Sequence, residues 1–140
     1  MMRVITISAL ALLATLVSLA TETAAAANTP LNRVVVMYFH RTQRCPTCLK
    51  MGSYTEEAIK TGFAEELKSG KVEFHFIDFQ DQHNEALTKG YNISGPSLIV
   101  AQVADNKVSQ YKSLKDMWTK VRDKSAFLEY VQNNVKEYQK

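Results

Sequence analysis

The most constraining feature of this 140-residue sequence is a pair of cysteines separated by two residues, at a point where the pattern changes from strand to helix. The run Arg33 to His40 ahead of the pair is almost continuously apolar and rich in branched and aromatic side chains, which is typical of a strand covered on both faces. In Cys45-Pro46-Thr47-Cys48, a proline follows the first cysteine, and proline is favoured in the first turn of a helix. We therefore expect a helix to begin at Pro46, with both sulfurs at its start.

The short spacing of the two cysteines indicates a chemical role more than a structural cross-link. Cys45 and Cys48 are the chain's only cysteines, and a disulfide between them closes a loop of four residues. So short a loop restricts the unfolded chain very little, so the bond stabilises the fold poorly. A reactive pair is therefore the better explanation, and a purely structural bridge is the alternative.

The rest of the pattern predicts an α/β domain. The first helix is expected to end at Ser69-Gly70, followed by a strand over residues 72–79 and a short helical segment over 81–90. Two strands, over 97–103 and 107–112, should form a hairpin around a tight turn at Asp105-Asn106. Helices are expected over 114–122 and 125–138, the second with Ser125 as its cap. A helical crossover makes the first two strands parallel, and the hairpin adds two antiparallel strands. The prediction is a central mixed four-stranded sheet flanked by helices on both faces, with the ligand site at the carboxyl end of the first strand.

Residues 1–27 have the pattern of a signal peptide. Arg3 is followed by the apolar stretch Ile5 to Ala20 and by the small residues Ala24 to Ala27. The apolar stretch is shorter than the ~20 residues that a membrane-spanning helix needs. Cleavage would remove 27 of the 140 residues and leave residues 28–140 as one domain, periplasmic or secreted and without membrane insertion. A retained N-terminal anchor is the alternative.

The charge pattern excludes some classes of partner. The net charge of +3 is small, and the lysines are scattered among acids with no run of basic and aromatic residues. This does not match a nucleic-acid-binding surface. Nothing in the sequence predicts a flavin or nicotinamide site, so no cofactor is expected. A metal site from the cysteines and two histidines is not expected either, because the long interval from Cys48 to His75 does not match compact zinc spacings.

The chain resembles the thioredoxin-like superfamily over about residues 32–138. The resemblance rests on the strand, on the Cys-Pro-Thr-Cys motif at a helix start and on Gly95-Pro96 ahead of the hairpin. It implies a thioredoxin-like fold with Pro96 in the cis form beside the cysteine pair, a form that costs little before proline. An ordinary trans proline that interrupts a loop ahead of a strand is the alternative. Thioredoxins proper carry a tryptophan before the pair and a buried acid in the first strand, whereas this chain has Arg44 and the apolar Tyr38 or Phe39 in those neighbourhoods.

A second, narrower resemblance concerns Tyr38-Phe39-His40 ahead of Cys45 and the helix that follows. These residues are similar to those of a group of exported bacterial thioredoxin-like proteins described as subunits of a nitrophenyl-reducing system. That similarity implies a role in electron delivery to such a system.

The position of each site residue predicts a role in disulfide exchange. A thiol at a helix N-terminus meets unpaired N–H groups and the positive end of the helix dipole, which stabilise the thiolate, so Cys45 is the predicted nucleophile. Cys48, one turn further in, is expected to be more buried and to resolve a mixed disulfide. Pro96 completes the catalytic set, and Pro46, Thr47 and Gly95 are the expected substrate contacts. Arg44 and His40 are candidates for lowering the Cys45 pKa; His40 is also a candidate for proton transfer to Cys48, with a strand-end polar residue as the alternative.

The leading interpretation is an extracytoplasmic thiol-disulfide oxidoreductase or electron carrier. It would act on protein or small-molecule disulfides and exchange electrons with a redox partner protein. The alternative is a binding module of the same fold that holds a soft metal or a partner protein without turnover.

Overall fold

The computed structural model describes residues 29–140; the predicted signal peptide, residues 1–27, lies outside the described residues. The elements are, in chain order, β1 (Arg33–His40), α1 (Pro46–Gly62), α2 (Ala64–Ser69), β2 (Val72–Asp78), α3 (Glu85–Gly90), β3 (Ser97–Ala104), β4 (Lys107–Ser113), α4 (Met117–Lys120) and α5 (Lys124–Tyr138). A single 3₁₀ turn, Gln82–Asn84, precedes α3. None of the helices in this described part is long and apolar enough to cross a membrane.

The four strands form one mixed sheet, as predicted, and their order in it is β2-β1-β3-β4. β1 runs parallel to β2, and both β1–β3 and β3–β4 are antiparallel. The register places His40 beside Asp78 and Phe39 opposite Ser97. The end of β1, the end of β2 and the start of β3 therefore meet at one edge of the sheet, where residues 41–48 also begin.

Both faces of β1 are buried, because its side chains alternate between two hydrophobic clusters. Val34, Val36 and Tyr38 belong to the larger cluster, which includes buried residues of α1 and α5. Met37 and Phe39 belong to a smaller cluster, against which Tyr91 and Ile93 pack from the segment after α3. Each fully buried side chain of this size contributes roughly 1.5–3 kcal/mol to folding. The apolar run in the sequence is thus explained by a central strand.

The hairpin turn between β3 and β4 confirms the prediction from Asp105-Asn106. These two residues have φ values of 50° and 60°, the left-handed conformation that a two-residue type I′ turn requires at both positions. The Asn106 side-chain oxygen also accepts a hydrogen bond from Arg33 at 2.9 Å. The turn is thereby joined to the start of β1.

Three helix boundaries differ from the predictions. The first helix ends at Gly62, and the chain bends at Phe63, whose side chain is buried in the core, before α2 begins. The helix expected over 114–122 is only the single turn α4. The cap of α5 is Asp123 and not Ser125, because the Asp123 carboxylate accepts a hydrogen bond from the Ala126 N–H at 3.1 Å.

Candidate active site

The two cysteines lie at the start of α1, as predicted. Cys45 is the N-cap residue, with the extended backbone typical of that position (φ −75°, ψ 160°), and Pro46 opens the helix. The Cys45 Sγ is bonded to the Cys48 Sγ in a disulfide and accepts a hydrogen bond from the Cys48 N–H at 3.1 Å. A sulfur therefore occupies the place where a helix N-terminus provides unpaired N–H donors.

The two sulfur-bearing residues differ in exposure. Cys45 is exposed, as are Pro46 and Thr47, whereas Cys48 is 7% exposed. This agrees with the expected difference in burial. An incoming disulfide can therefore approach Cys45 while Cys48 stays behind it. The first turn of α1 contains no acidic residue, so no carboxylate offsets the positive end of the helix dipole.

Tyr38 forms a hydrogen bond to the backbone of the cysteine pair from within the core. Its hydroxyl donates a hydrogen bond to the Cys48 carbonyl at 2.8 Å within the core. Burial raises the pKa of Tyr38 to about 12, although the nearby Arg44 charge acts in the opposite direction. The phenol is therefore a neutral donor at physiological pH and not a proton acceptor. Its observed contact is with the backbone of the first turn of α1.

His40 is buried and uses both of its ring nitrogens. Nδ1 lies 2.9 Å from the Arg41 carbonyl, and Nε2 lies 2.6 Å from an Arg44 Nη. A carbonyl only accepts and a guanidinium only donates, so Nδ1 carries the hydrogen and Nε2 accepts in a neutral imidazole. Neither nitrogen is left to move a proton to Cys48. The contacts favour an indirect role through Arg44 over the proton-transfer role considered from the sequence.

Arg44 provides a positive charge next to Cys45 in the chain. Its guanidinium carbon lies 5.1 Å from the centre of the Phe76 ring, within the range of a cation–π contact. It takes part in none of the ion pairs formed within residues 29–140. The charge is thus held by an aromatic ring and a neutral histidine. Sequence reasoning did not identify Phe76, because only the strand register places it beside Tyr38.

Asp78 anchors the loop that leads to the cysteines. One carboxylate oxygen accepts from the Thr42 hydroxyl at 2.6 Å and the other from the Gln80 N–H at 2.9 Å. The Thr42 N–H in turn donates to the Gln80 side chain at 3.1 Å. The hydrogen bonds from Thr42 and Gln80 lower the pKa of Asp78. Sequence reasoning missed this link, since its two sides come from separate parts of the chain.

Pro96 lies at the predicted edge of the sheet, but its configuration was predicted wrongly. No peptide bond within residues 29–140 is cis, so the Gly95–Pro96 bond is trans. The trans form is favoured by about 0.5–1 kcal/mol even before proline. Pro96 lines a cleft of about 580 Å³ together with Tyr91, Tyr111 and Trp118.

The histidines outside the site have local carboxylate partners. His75 lies 3.0 Å from Glu73, and His83 lies 2.8 Å from Asp81. In the described part of the chain, no three His, Cys, Asp or Glu residues are grouped in a way that could hold a metal ion.

No protein-family model and no curated protein matches this sequence. Among solved structures, the chain is similar to a mutant thioredoxin from Halobacterium salinarum, with a TM-score of 0.44 and 20% identity over 78% of this chain and 77% of that chain. It is also similar to a thioredoxin from Wuchereria bancrofti, with a TM-score of 0.40 and 22% identity over 59% of this chain and 69% of that chain. The fold is thioredoxin-like on its own topology, because the mixed sheet has the order β2-β1-β3-β4 and a Cys-Pro-Thr-Cys disulfide opens the helix after β1.

Proposed function

We propose that this protein is an extracytoplasmic thiol-disulfide oxidoreductase or electron carrier that cycles Cys45 and Cys48 between a disulfide and a dithiol. The observation that carries the proposal is the exposed Cys45 at the N-cap of α1, bonded to the buried Cys48. A nucleophile that must meet a bulky disulfide needs exposure. A resolving thiol needs only to reach its neighbour.

The exchange is a two-electron process in two displacement steps. In the dithiol form, the Cys45 thiolate attacks one sulfur of a substrate disulfide, forms a mixed disulfide and releases the other substrate sulfur as a thiolate. Cys48 then loses its proton to solvent and attacks the Cys45 sulfur. The second substrate thiolate leaves, and the Cys45–Cys48 disulfide forms as the substrate gains two electrons. A redox partner protein restores the dithiol, and the same steps in reverse donate a disulfide.

Three features of the site support the activation of Cys45. The Cys48 N–H donates a hydrogen bond to the Cys45 Sγ at 3.1 Å, and no acid in the first turn of α1 offsets the helix dipole. The positively charged Arg44 directly precedes Cys45 in the sequence. Each of these stabilises a thiolate over a thiol. A lowered pKa supplies the thiolate at neutral pH and stabilises the reduced form.

The extracytoplasmic location is part of the proposal and draws on the signal-peptide pattern of residues 1–27. In that setting the substrates are protein or small-molecule disulfides. Pro46 and Thr47, both exposed, are proposed to contact them, together with Gly95 and Pro96 from the adjacent edge. Electron delivery to a nitrophenyl-reducing system is the narrower form of this proposal, drawn from the resemblance at residues 38–40.

The exchange reaction is tested by reduction of insulin disulfides with dithiothreitol as the electron source. We expect catalysis by the wild type, its loss in Cys45→Ser, and accumulation of a mixed disulfide in Cys48→Ser, which retains the nucleophile but not the resolving thiol. Full activity of Cys45→Ser would eliminate the mechanism. Stoichiometric zinc or Cu(I) in a protein that reduces no disulfide would instead favour the binding module.

The location is tested separately in a bacterial host. N-terminal sequencing of the full chain after expression is expected to find cleavage near residue 27 and protein in the periplasmic fraction. Recovery of uncleaved protein from the membrane fraction would favour the retained anchor, and recovery from the cytosol would contradict export.

A further inference from the structure

We infer that the disulfide partner docks at the start of α1, around Cys45, through an acidic segment that also carries an apolar side chain. The inference rests on the proposed exchange function and names the kind of partner that this site accepts. The surface involved is here called the basic-apolar patch. It comprises Arg41, Arg44, Leu49, Lys50 and Phe76.

The apolar part of the patch is formed by Leu49 and Phe76, which are 52% and 39% exposed. The Leu49 N–H bonds to the Cys45 carbonyl at 2.9 Å, so Leu49 lies one helical turn after the exposed cysteine. Leu49 and Gly52, three residues apart, are neighbours on the surface of α1. A Cβ at Gly52 would be 3.0 Å from a Phe76 ring carbon. Phe76 therefore lies against α1 at Gly52, a neighbouring position to Leu49 on the helix surface.

The charged part of the patch comes from a short stretch of chain. Residues 41–50 contain Arg41, Arg44 and Lys50 and no acid, so this stretch alone carries +3, equal to the net charge of the whole chain. None of the three is in an ion pair within the part of the chain that the structure describes. Asp78 brings one carboxylate to the same loop, where it accepts hydrogen bonds from Thr42 and Gln80, so it offsets part of this positive charge.

Arg44 joins the two parts of the patch. Its guanidinium covers the partly exposed Phe76 ring at 5.1 Å, and one of its Nη atoms donates to His40. A guanidinium has five N–H donors, so further donors remain for a partner's carboxylate. The half-buried setting also limits competition from water.

These features together indicate an acidic partner with an apolar side chain. Leu49 and Phe76 offer exposed apolar surface to a segment that docks at the start of α1. Three cations that form no ion pair with an acid among residues 29–140 favour encounter with a negatively charged surface and oppose a positively charged one. Apolar contact with Leu49 and Phe76 would then hold the encountered segment next to Cys45.

The inference is tested with synthetic peptide disulfides of equal length. Beside the cysteine, one peptide carries Glu and Leu, a second carries Lys and Leu, and a third carries Glu and Ser. For the dithiol form of the wild type at low salt, we expect the Glu-Leu peptide to react about 5- to 10-fold faster than the Lys-Leu peptide, and a few-fold faster than the Glu-Ser peptide. The preference for acidic charge should nearly vanish at about 1 M salt, where the Debye length is about 3 Å.

Variants locate the surface responsible. Lys50→Glu should reduce the ratio of the Glu-Leu to the Lys-Leu rate, and Leu49→Gln should reduce the ratio of the Glu-Leu to the Glu-Ser rate. Ratios are used because a change in Cys45 reactivity affects both peptides equally. The matched controls are Lys107→Glu at the β-hairpin and Leu87→Gln on α3, both exposed in the wild type. Both ratios should be unchanged in these controls.

The outcomes separate this inference from the proposed function. If the wild type reduces neither the peptides nor the small uncharged 2-hydroxyethyl disulfide, the exchange function itself is wrong. If it reduces 2-hydroxyethyl disulfide and all three peptides at equal rates, exchange stands and the acidic-partner inference is overturned. A preference that survives in both Lys50→Glu and Leu49→Gln would also overturn it, because the selectivity would then arise elsewhere.

Discussion

The Arg44 guanidinium donates to the Nε2 of His40 at 2.6 Å, so an arginine next to the nucleophile is held by a neutral imidazole. The other imidazole nitrogen donates to the Arg41 carbonyl at 2.9 Å, which fixes the orientation of the ring. Arginines are more often paired with carboxylates, which would cancel their charge. Among residues 29–140 this charge has no carboxylate partner, and Arg44 directly precedes Cys45 in the chain.

Replacing Arg44 with glutamine should make Cys45 a weaker acid. Loss of the neighbouring charge is expected to raise the Cys45 thiol pKa by about one unit, which corresponds to about 1.4 kcal/mol. Because the reduced form loses thiolate stabilisation, the reduction potential should become more negative. Thiolate absorbance near 240 nm and equilibration with glutathione measure the two effects. The charge-keeping variant Arg44→Lys should retain much of the wild-type pKa, and equal shifts in both variants would contradict a charge effect.

Replacing His40 with phenylalanine should shift the Cys45 pKa in the same direction by a smaller amount. The variant removes the acceptor that holds Arg44 but leaves the charge on the chain. In the Arg44→Gln background, the same change should have no further effect on the pKa, since the two residues act through one contact. His40→Gln, which keeps an acceptor, should partly restore the wild-type value. Additive shifts in the double variant would show that His40 acts independently of Arg44.

Replacing Tyr38 with phenylalanine should lower the free energy of unfolding by about 1–3 kcal/mol. The change leaves the Cys48 carbonyl without its donor in a buried position. Urea unfolding at neutral pH, with the disulfide intact, measures the loss. Tyr54→Phe provides a matched comparison, because it removes a hydroxyl from a partly buried tyrosine of α1.

The burial of Tyr38 should also make the stability of the protein change at alkaline pH. Its pKa rises from 10.0 to about 12 in the folded protein, because burial disfavours the phenolate. The raised pKa contributes stability below pH 10, and this contribution is lost as the pH rises from 10 towards 12. The difference between wild-type and Tyr38→Phe absorbance near 295 nm should show the phenol titrating near pH 12. Titration with an unshifted midpoint would contradict the burial of the phenol.

Replacing Asp78 with asparagine should weaken the protein most at neutral pH. Hydrogen bonds from Thr42 and Gln80 lower the Asp78 pKa, so the folded state favours the carboxylate. That contribution is present above the unfolded-state pKa of about 3.9 and is lost as the pH falls through the lower folded-state value. The stability difference between wild type and variant should therefore shrink in acid. The control Glu129→Gln, at an exposed position of α5, should show no comparable trend.

Replacing Gly52 with valine should destabilise the protein by about 1–3 kcal/mol. A Cβ at this position would lie 3.0 Å from ring carbons of both Tyr38 and Phe76, so α1 would have to move away from the sheet. Gly90→Val is the matched control, because nothing lies within 4 Å of a Cβ there. Thermal or urea unfolding of the two variants measures the difference. Equal stability of both would show that the close contact at Gly52 has no energetic consequence.

Local sequence signals determined the elements that frame the site. β1 has the predicted bounds, α1 begins at the predicted proline, and Asp105-Asn106 forms the predicted turn. These predictions succeeded because their causes are local: an apolar run, a residue without an N–H at a helix start, and two residues that tolerate positive φ. The placement of Cys45 at a helix N-cap was predictable for the same reason.

Only the tertiary structure decided the surroundings of the sulfurs. Phe76 and Asp78 reach the site because β2 pairs in parallel with β1. The hydrogen bond from Arg44 to His40 depends on the conformation of the loop between these two residues. The bend at Phe63 likewise depends on the burial of its side chain in the core. The physical reason is that periodicity and capping act within a few residues, whereas hydrogen bonds and packing around a site join segments that only the strand register brings together.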